Sequence, residues 1–254
     1  MRVLVTGASG ALGGPLLAAL TLAGHEAVAM SRRERPAGDG VIWLQGDLTT
    51  GAGLGPALDG ADVVIHAASD PQRAQDVDVN GTQRLLQAAG SAGVQHFVYV
   101  SIVGVDAIPY PYYRAKHAAE ALVRASRVRY SIVRATQFHS FIDAILSALS
   151  RVPLVMPVPA GFKVQSIATE EVADYLVRRV AAGPSGWTDD LAGPEVLSVD
   201  DATRAWMAAR GIRRPLARVP VPGAAARAFR AGKNLAPYAA NNGLTWAEWL
   251  RRPA

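Results

Sequence analysis

The first twenty residues restrict the fold more than any other stretch. Val3, Leu4 and Val5 make a short apolar run. Gly7, Gly10 and Gly13 then recur at intervals of three within TGASGALG, and Leu16, Leu17 and Leu20 repeat at helical spacing. A strand, a glycine-rich turn and a helix in that order aim backbone N–H groups and a positive helix end at an anion, which is how a dinucleotide pyrophosphate is held. Gly7 permits the sharp exit from the strand, Gly10 lets backbone approach a phosphate, and Gly13 allows helix and strand to pack closely. Ser9, Ala11 and Leu12 complete the expected cradle. The spacing is G-x-x-G-x-x-G rather than the G-x-G-x-x-G dehydrogenase fingerprint, so the flanking strand and helix carry the assignment.

Beyond the turn, strand and helix patterns alternate. Residues 26–30, 41–45, 62–66, 97–100 and 130–133 read as strands, and 80–92, 112–127 and 169–182 as helices. That alternation predicts an α/β fold with a doubly wound parallel sheet of Rossmann type. In a chain of 254 residues, half of them apolar, one such domain is expected over 1–254. Residues 137–165 and 194–254 are irregular and proline-containing, and are expected to form a small C-terminal substrate lobe over the strand ends. Ser198 is expected to cap a helix running to about residue 209. Trp206, Trp246, Trp249, Phe229 and Tyr238 are expected in the core of that lobe. His139 either lines a substrate pocket or packs.

Several classes drop out on composition. Cysteine is absent, which excludes disulfides and cysteine-based metal or nucleophile sites. The five histidines lack metal-ligand spacing, so no metal is expected. The longest apolar stretch, 141–161, is broken by Asp143, Arg151 and three prolines, and no membrane span or leader is expected. Net charge is +5, but the basic residues are scattered in pairs without interleaved aromatics, so nucleic acid is not an expected partner. A cytoplasmic monomer or homodimer acting on a small molecule is the expectation.

The end of the second strand selects the cofactor. An acidic residue there would meet a ribose 2′-hydroxyl, whereas this chain has Ser31, Arg32 and Arg33, suited to the 2′-phosphate of NADP. Asp47, after the third strand, is a candidate for the adenine amino group, and Leu48 beside it is expected at the cofactor; Asp47 also suits a turn. Ala67, Ala68 and Ser69 leave room for the middle of the cofactor. Asn80 reads as a helix cap.

Tyr112 and Lys116 stand four apart on one helix and so share a face. An ammonium beside a phenol lowers its pKa and equips it to protonate a developing alkoxide. Lysine is scarce, occurring only at Lys116, Lys163 and Lys233, which adds weight to Lys116. Ser101 ends the preceding strand.

These segments, with GDL, HAAS, VSIVGVD, PYYRAKHAAE, VRATQFH, IATEEVAD and LAGPE, run along nearly the whole chain. In that order they resemble an atypical or extended short-chain dehydrogenase/reductase of the NmrA-like, NAD(P)H-binding branch. The resemblance implies an NADPH-dependent reductase of a small, mostly apolar carbonyl or unsaturated substrate, with Tyr112 as acid/base. It implies that Lys116 holds the nicotinamide ribose and activates Tyr112, and that Ala135, Thr136, Gln137 and Phe138 lie near the nicotinamide. The family's usual Ser or Thr after the fifth strand aligns with Ile102, leaving Ser101 as its possible substitute. Ile102 keeps a second reading open, a non-catalytic NADP(H)-sensing regulator. A sugar-nucleotide epimerase or dehydratase is a third.

Overall fold

The computed structural model describes residues 1–36 and 40–252, so the last two residues of the expected 194–254 stretch lie outside it. The chain divides into two compact units. The first comprises Met1–Ser101, Pro111–Arg134 and Glu170–Asp189; the second comprises Ile102–Tyr110, Ala135–Thr169 and Asp190–Ala254.

The first unit is built on strands β1 (Arg2–Thr6), β2 (Glu26–Ser31), β3 (Val41–Gln45), β4 (Val63–His66), β5 (His96–Ile102) and β6 (Tyr130–Ala135). A two-residue edge strand, Gly186–Trp187, completes a seven-stranded sheet; it is β9 in chain order, after β7 (Met156–Pro159) and β8 (Lys163–Val164) of the second unit. The order is β3-β2-β1-β4-β5-β6-β9. Leu4 sits opposite Val28 of β2 on one side and Val64 of β4 on the other, both in parallel register. With β2 and β4 pairing its two edges and helices packed on the sheet, the run from Val3 to Thr6 is wholly buried, as a central parallel strand requires. Strand order reverses between β1 and β4, and in open α/β sheets ligands bind at that reversal, beyond the carboxyl ends of the strands.

Helices α1 (Gly13–Leu22), α2 (Leu54–Leu58), α3 (Thr82–Ser91), α4 (Pro111–Ala125) and α6 (Thr169–Ala182) accompany the sheet; α5 (His139–Leu149) belongs to the second unit. Leu4, Val28, Val64, Leu85, Phe97, Tyr99, Val123 and Ile132 belong to one buried cluster. A bidentate ion pair from Arg134 on β6 to Glu120 on α4 lies within this unit, both contacts at 2.8 Å.

Ahead of α3 lies a π-helical segment, Gln75–Gly81, which the sequence does not announce. Asn80 is therefore no helix cap. It sits inside this segment, and its Oδ1 accepts from Gln75 Nε2 at 3.1 Å. The wider π turn carries Asp78, which is fully buried. π-helical turns are rare and cluster at functional sites.

The second unit contains α5, β7, β8, β10 (Leu197–Ser198), α7 (Val199–Ala209), β11 (Leu216–Val219), α8 (Ala224–Arg230) and α9 (Trp246–Leu250). β8 pairs antiparallel with β10, and β7 pairs parallel with β11. Ser198 caps α7 by accepting from the Asp201 N–H at 3.0 Å, as expected. Ile142, Leu146, Met156, Trp206, Met207 and Trp246 form its core, with Trp249 packed against it. Tyr238, expected inside, is 80% exposed. α5 was not anticipated: the prolines of 141–161 all fall after it, so they bound the helix rather than break it. No helix among the described residues is long and apolar enough to cross a membrane.

Candidate active site

The glycine turn folds as its spacing requires. Gly10 N–H donates to the Gly7 carbonyl at 2.9 Å, and Gly13 N–H to the Gly10 carbonyl at 3.0 Å. Gly7 has φ +74°, and a Cβ there would stand 2.6 Å from the Ala68 nitrogen; at Gly13 a Cβ would meet the Ala8 carbonyl oxygen at 2.1 Å. Neither position admits a side chain. The N–H groups of Ala11 and Leu12 donate to no protein acceptor among the described residues. The first turn of α1 holds no acidic residue, and Leu12 offers no capping side chain, so its positive end is uncompensated by protein.

A cleft in the first unit is lined by Gly7, Ser9, Gly10, Ser31, Arg32, Asp47, Leu48, Ala67, Ala68 and Ser69, all expected from the sequence. Met30, Gly46, Thr49, Asp70 and Val77 line it too and were not expected. Ala11, Leu12, Gly13, Arg33 and Lys116 are not among its walls. Ser31 Oγ accepts from the Arg33 N–H at 3.2 Å, shaping the turn that carries Arg32. Asp47 Oδ1 accepts from both Thr49 N–H and Thr49 Oγ1 at 2.7 Å, and these bonds hold its carboxyl below the usual range. Asp47 thus performs the turn role while facing the cleft. The cradle fits a dinucleotide: free N–H groups, an uncompensated helix end, close backbone and a guanidinium at one wall.

Beside this cleft lies a connected polar cluster. Ser69 Oγ donates to Asp78 Oδ1 at 2.5 Å. The Ser69 hydroxyl has one proton, so the 2.7 Å contact with Tyr112 Oη is a bond donated by Tyr112. Asp78 Oδ2 also accepts from the Asp70 N–H at 3.1 Å. Lys116 Nζ donates to the Val100 carbonyl at 2.8 Å, lies 3.8 Å from Asp78 Oδ1, and sits 4.3 Å from the centre of the Tyr99 ring.

Sequence reasoning missed Asp78, because DVDVNG has no spacing that signals an inward carboxylate. It also misjudged the electrostatics. Tyr112 is raised above the usual phenol value, first by burial and then by Asp78, Tyr113 and Asp70, against a lowering from Ser69. The Lys116 ammonium is turned to the Val100 carbonyl and Asp78. Burial brings Lys116 itself down to about 8, opposed by Asp78 and Glu120.

The remaining expected residues are placed otherwise. Ser101 is buried and its Oγ finds no partner among the described residues, whereas Ile102 at the end of β5 is half-buried. Ala135, Thr136, Gln137 and Phe138 lie in the second unit. There, Ala135 bridges Leu191, Thr136 N–H donates to Leu191 at 2.9 Å, and Phe138 bridges Ile167. His139 is packed: Nε2–H donates to the Leu244 carbonyl at 2.9 Å, and Nδ1 is hydrogen-bonded to the Ser166 hydroxyl at 2.8 Å. No group of three or more potential ligands able to hold a metal occurs among the described residues.

Residues 7–182 match the model of a family described as NAD(P)H-binding. The chain belongs to that NAD(P)H-binding family. It is of the atypical short-chain dehydrogenase/reductase, NmrA-like kind, an oxidoreductase-type group. A (4-alkanoyl-5-oxo-2,5-dihydrofuran-3-yl)methyl phosphate reductase of Streptomyces griseus is 29% identical over 219 residues, covering 84% of this chain and 75% of that one. An NADPH-dependent quinone oxidoreductase from Escherichia coli superposes with a TM-score of 0.77 at 19% identity, over 98% of both chains. A nucleoside-diphosphate-sugar epimerase from Staphylococcus aureus superposes with a TM-score of 0.79 at 17% identity, over 99% of this chain and 100% of that one. At these identities the two structures share the fold with this NAD(P)H-binding protein, and the fold alone.

Proposed function

We propose that this protein is an NADPH-dependent reductase of small, mostly apolar conjugated carbonyl compounds. The observation that carries the reading is Tyr112: its phenol is hydrogen-bonded to Ser69, a residue of the cleft wall, and is held protonated at neutral pH. A neutral phenol in that place is a proton donor to the oxygen of a reduced carbonyl. Bound nicotinamide would supply the hydride. The glycine turn would hold the pyrophosphate, Arg32 and Arg33 the 2′-phosphate, and Asp47, Leu48 and Ala67 to Ser69 the adenosine and linking atoms. Lys116 would carry positive charge beside the ribose. Similarity to a reductase named for an alkanoyl dihydrofuranone phosphate supports the conjugated carbonyl in that class, since the name describes a carbonyl conjugated to a ring double bond.

The test is NADPH consumption with a panel of quinones and alkanoyl butenolides, followed by mass identification of the reduced product. Turnover abolished by Tyr112→Phe, with NADPH still bound, supports the reading; consumption unaffected by that change removes it.

A second reading has its own observation. Ile102 places no hydroxyl at the end of β5, and the Ser101 hydroxyl is buried. NADPH binding without consumption across the whole panel favours a cofactor-sensing regulator.

A further inference from the structure

We propose that Asp78 is a further residue of the reaction, the carboxylate through which the Tyr112 proton is replaced from Lys116 by way of Ser69. The inference rests on the reductase reading and deepens it. It stands on a continuous line of contacts in the first unit. Tyr112 Oη donates to Ser69 Oγ at 2.7 Å, Ser69 Oγ donates to Asp78 Oδ1 at 2.5 Å, and Lys116 Nζ lies 3.8 Å from that same oxygen. A second observation is the cost of the arrangement. Asp78 and Lys116 are almost completely buried, and a chain seldom buries such charges without a use for them. The π-helical segment that carries Asp78 is the third.

The donor directions decide between two roles for Ser69. Its only proton points at Asp78, so it cannot also donate to a substrate oxygen and does not replace the hydroxyl missing at Ile102. It can pass a proton. As hydride reaches the substrate carbon, Tyr112 gives its Oη proton to the substrate oxygen. The phenolate then takes the Ser69 Oγ proton. The Lys116 ammonium, one side-chain movement short of hydrogen-bond distance, gives a proton to the Asp78 carboxylate at Oδ1. Asp78 passes that proton to the Ser69 oxygen and is a carboxylate again. Lys116 is left as a neutral amine and regains its proton from water. One proton enters the product and one leaves solvent.

Two measurements test this, and the first needs no turnover. Phenolate absorbance is titrated in the cofactor-free protein, with Tyr112→Phe as the subtraction. Asp78→Asn removes a negative charge, so Tyr112 should ionise about one pH unit lower or more. Ser69→Ala should raise it, because the bond that stabilises the phenolate is lost. Tyr112 ionisation unmoved by either variant overturns the coupling, whether or not the protein is a reductase.

The second measurement uses NADPH and menadione. Asp78→Asn and Ser69→Ala should each lower kcat about tenfold or more, within the range of acid–base contributions, with NADPH affinity kept. The double variant should be no slower than the worse single one, because both break one path. Additive losses, or kcat unchanged, overturn the relay. Absence of wild-type turnover with a titration that still shifts removes the reductase reading and, with it, the relay, while leaving the Asp78–Tyr112 coupling.

Discussion

Thr6 Oγ1 and His66 Nδ1 are 2.6 Å apart, and their bond fixes the state of a fully buried histidine. On its other side, His66 Nε2 lies 2.8 Å from Thr82 Oγ1, whose own proton goes to the Asp78 carbonyl at 2.6 Å. Thr82 must therefore accept from Nε2–H, and because burial keeps the ring neutral, Nδ1 accepts from Thr6. His66 is neutral, with its proton on Nε2. Through it the last residue of β1, just ahead of the glycine turn, is tied to the segment that carries Asp78.

That neutrality makes stability depend on pH. Burial, helped by Lys116, holds His66 down at about 3; burial, with Arg179 and Arg129, holds His96 at about 4. In the unfolded chain both titrate near about 6.5. Below that value the unfolded state binds protons that the native state refuses, so stability is complete above it and falls as pH falls towards the native pKa values. The slope approaches about 1.4 kcal/mol per pH unit for each histidine. Urea midpoints should drop between about pH 6.5 and 5, ahead of the carboxylates, and His66→Gln should flatten the drop. A flat wild-type profile in that window would refute the assignment.

Gly13→Ala should be costly. Its Cβ would lie 2.1 Å from a backbone oxygen of Ala8, which has no rotamer to escape into. The helix must move off the strand, at about 1–3 kcal/mol by analogy with overpacked cores. NADPH binding, followed by nicotinamide fluorescence, should weaken with it. Gly14→Ala is the control, since nothing lies within 4 Å of a Cβ there. Equal stability of the two variants would contradict the packing described.

Arg32→Glu should separate the two nicotinamide cofactors. Arg32 lines the cleft, and a carboxylate in its place repels a 2′-phosphate while tolerating a 2′-hydroxyl. NADPH affinity should fall about tenfold or more, and NADH affinity should hold or rise. Parallel titrations by calorimetry would show it. Equal losses for both cofactors would mean that Arg32 does not meet the 2′-phosphate.

The fold was legible where burial imposes a period. The limits of β3 and α6 agree with the expected 41–45 and 169–182, because each has an unambiguous apolar pattern between turn residues. The cleft was legible because a glycine turn and short strand-end motifs are local. The polar cluster was not. Tyr112 and Lys116 suggest a pair by spacing, yet Lys116 turns away to a carbonyl on β5 and a carboxylate on a π turn, both remote in sequence. Nothing in DVDVNG marks Asp78 as buried, since the π turn that points it inward follows from packing against α3 and α4 rather than from composition.

Lys116 brings the arrangement to a pH profile. Tyr112 is raised, so it remains a phenol through the neutral range and does not limit reduction there. Lys116 is brought down to about 8 by burial. As the source of the proton, it is charged and competent below that value and neutral above it. The kcat for NADPH consumption with a quinone should therefore be level near neutrality and decline as pH rises through about 8. Lys116→Arg keeps a charge whose pKa lies far above this range, so any activity it retains should lose the decline. A wild-type rate that rises through the same interval would mean that the group titrating near 8 acts as a base, and Lys116 would then be no proton donor in this direction.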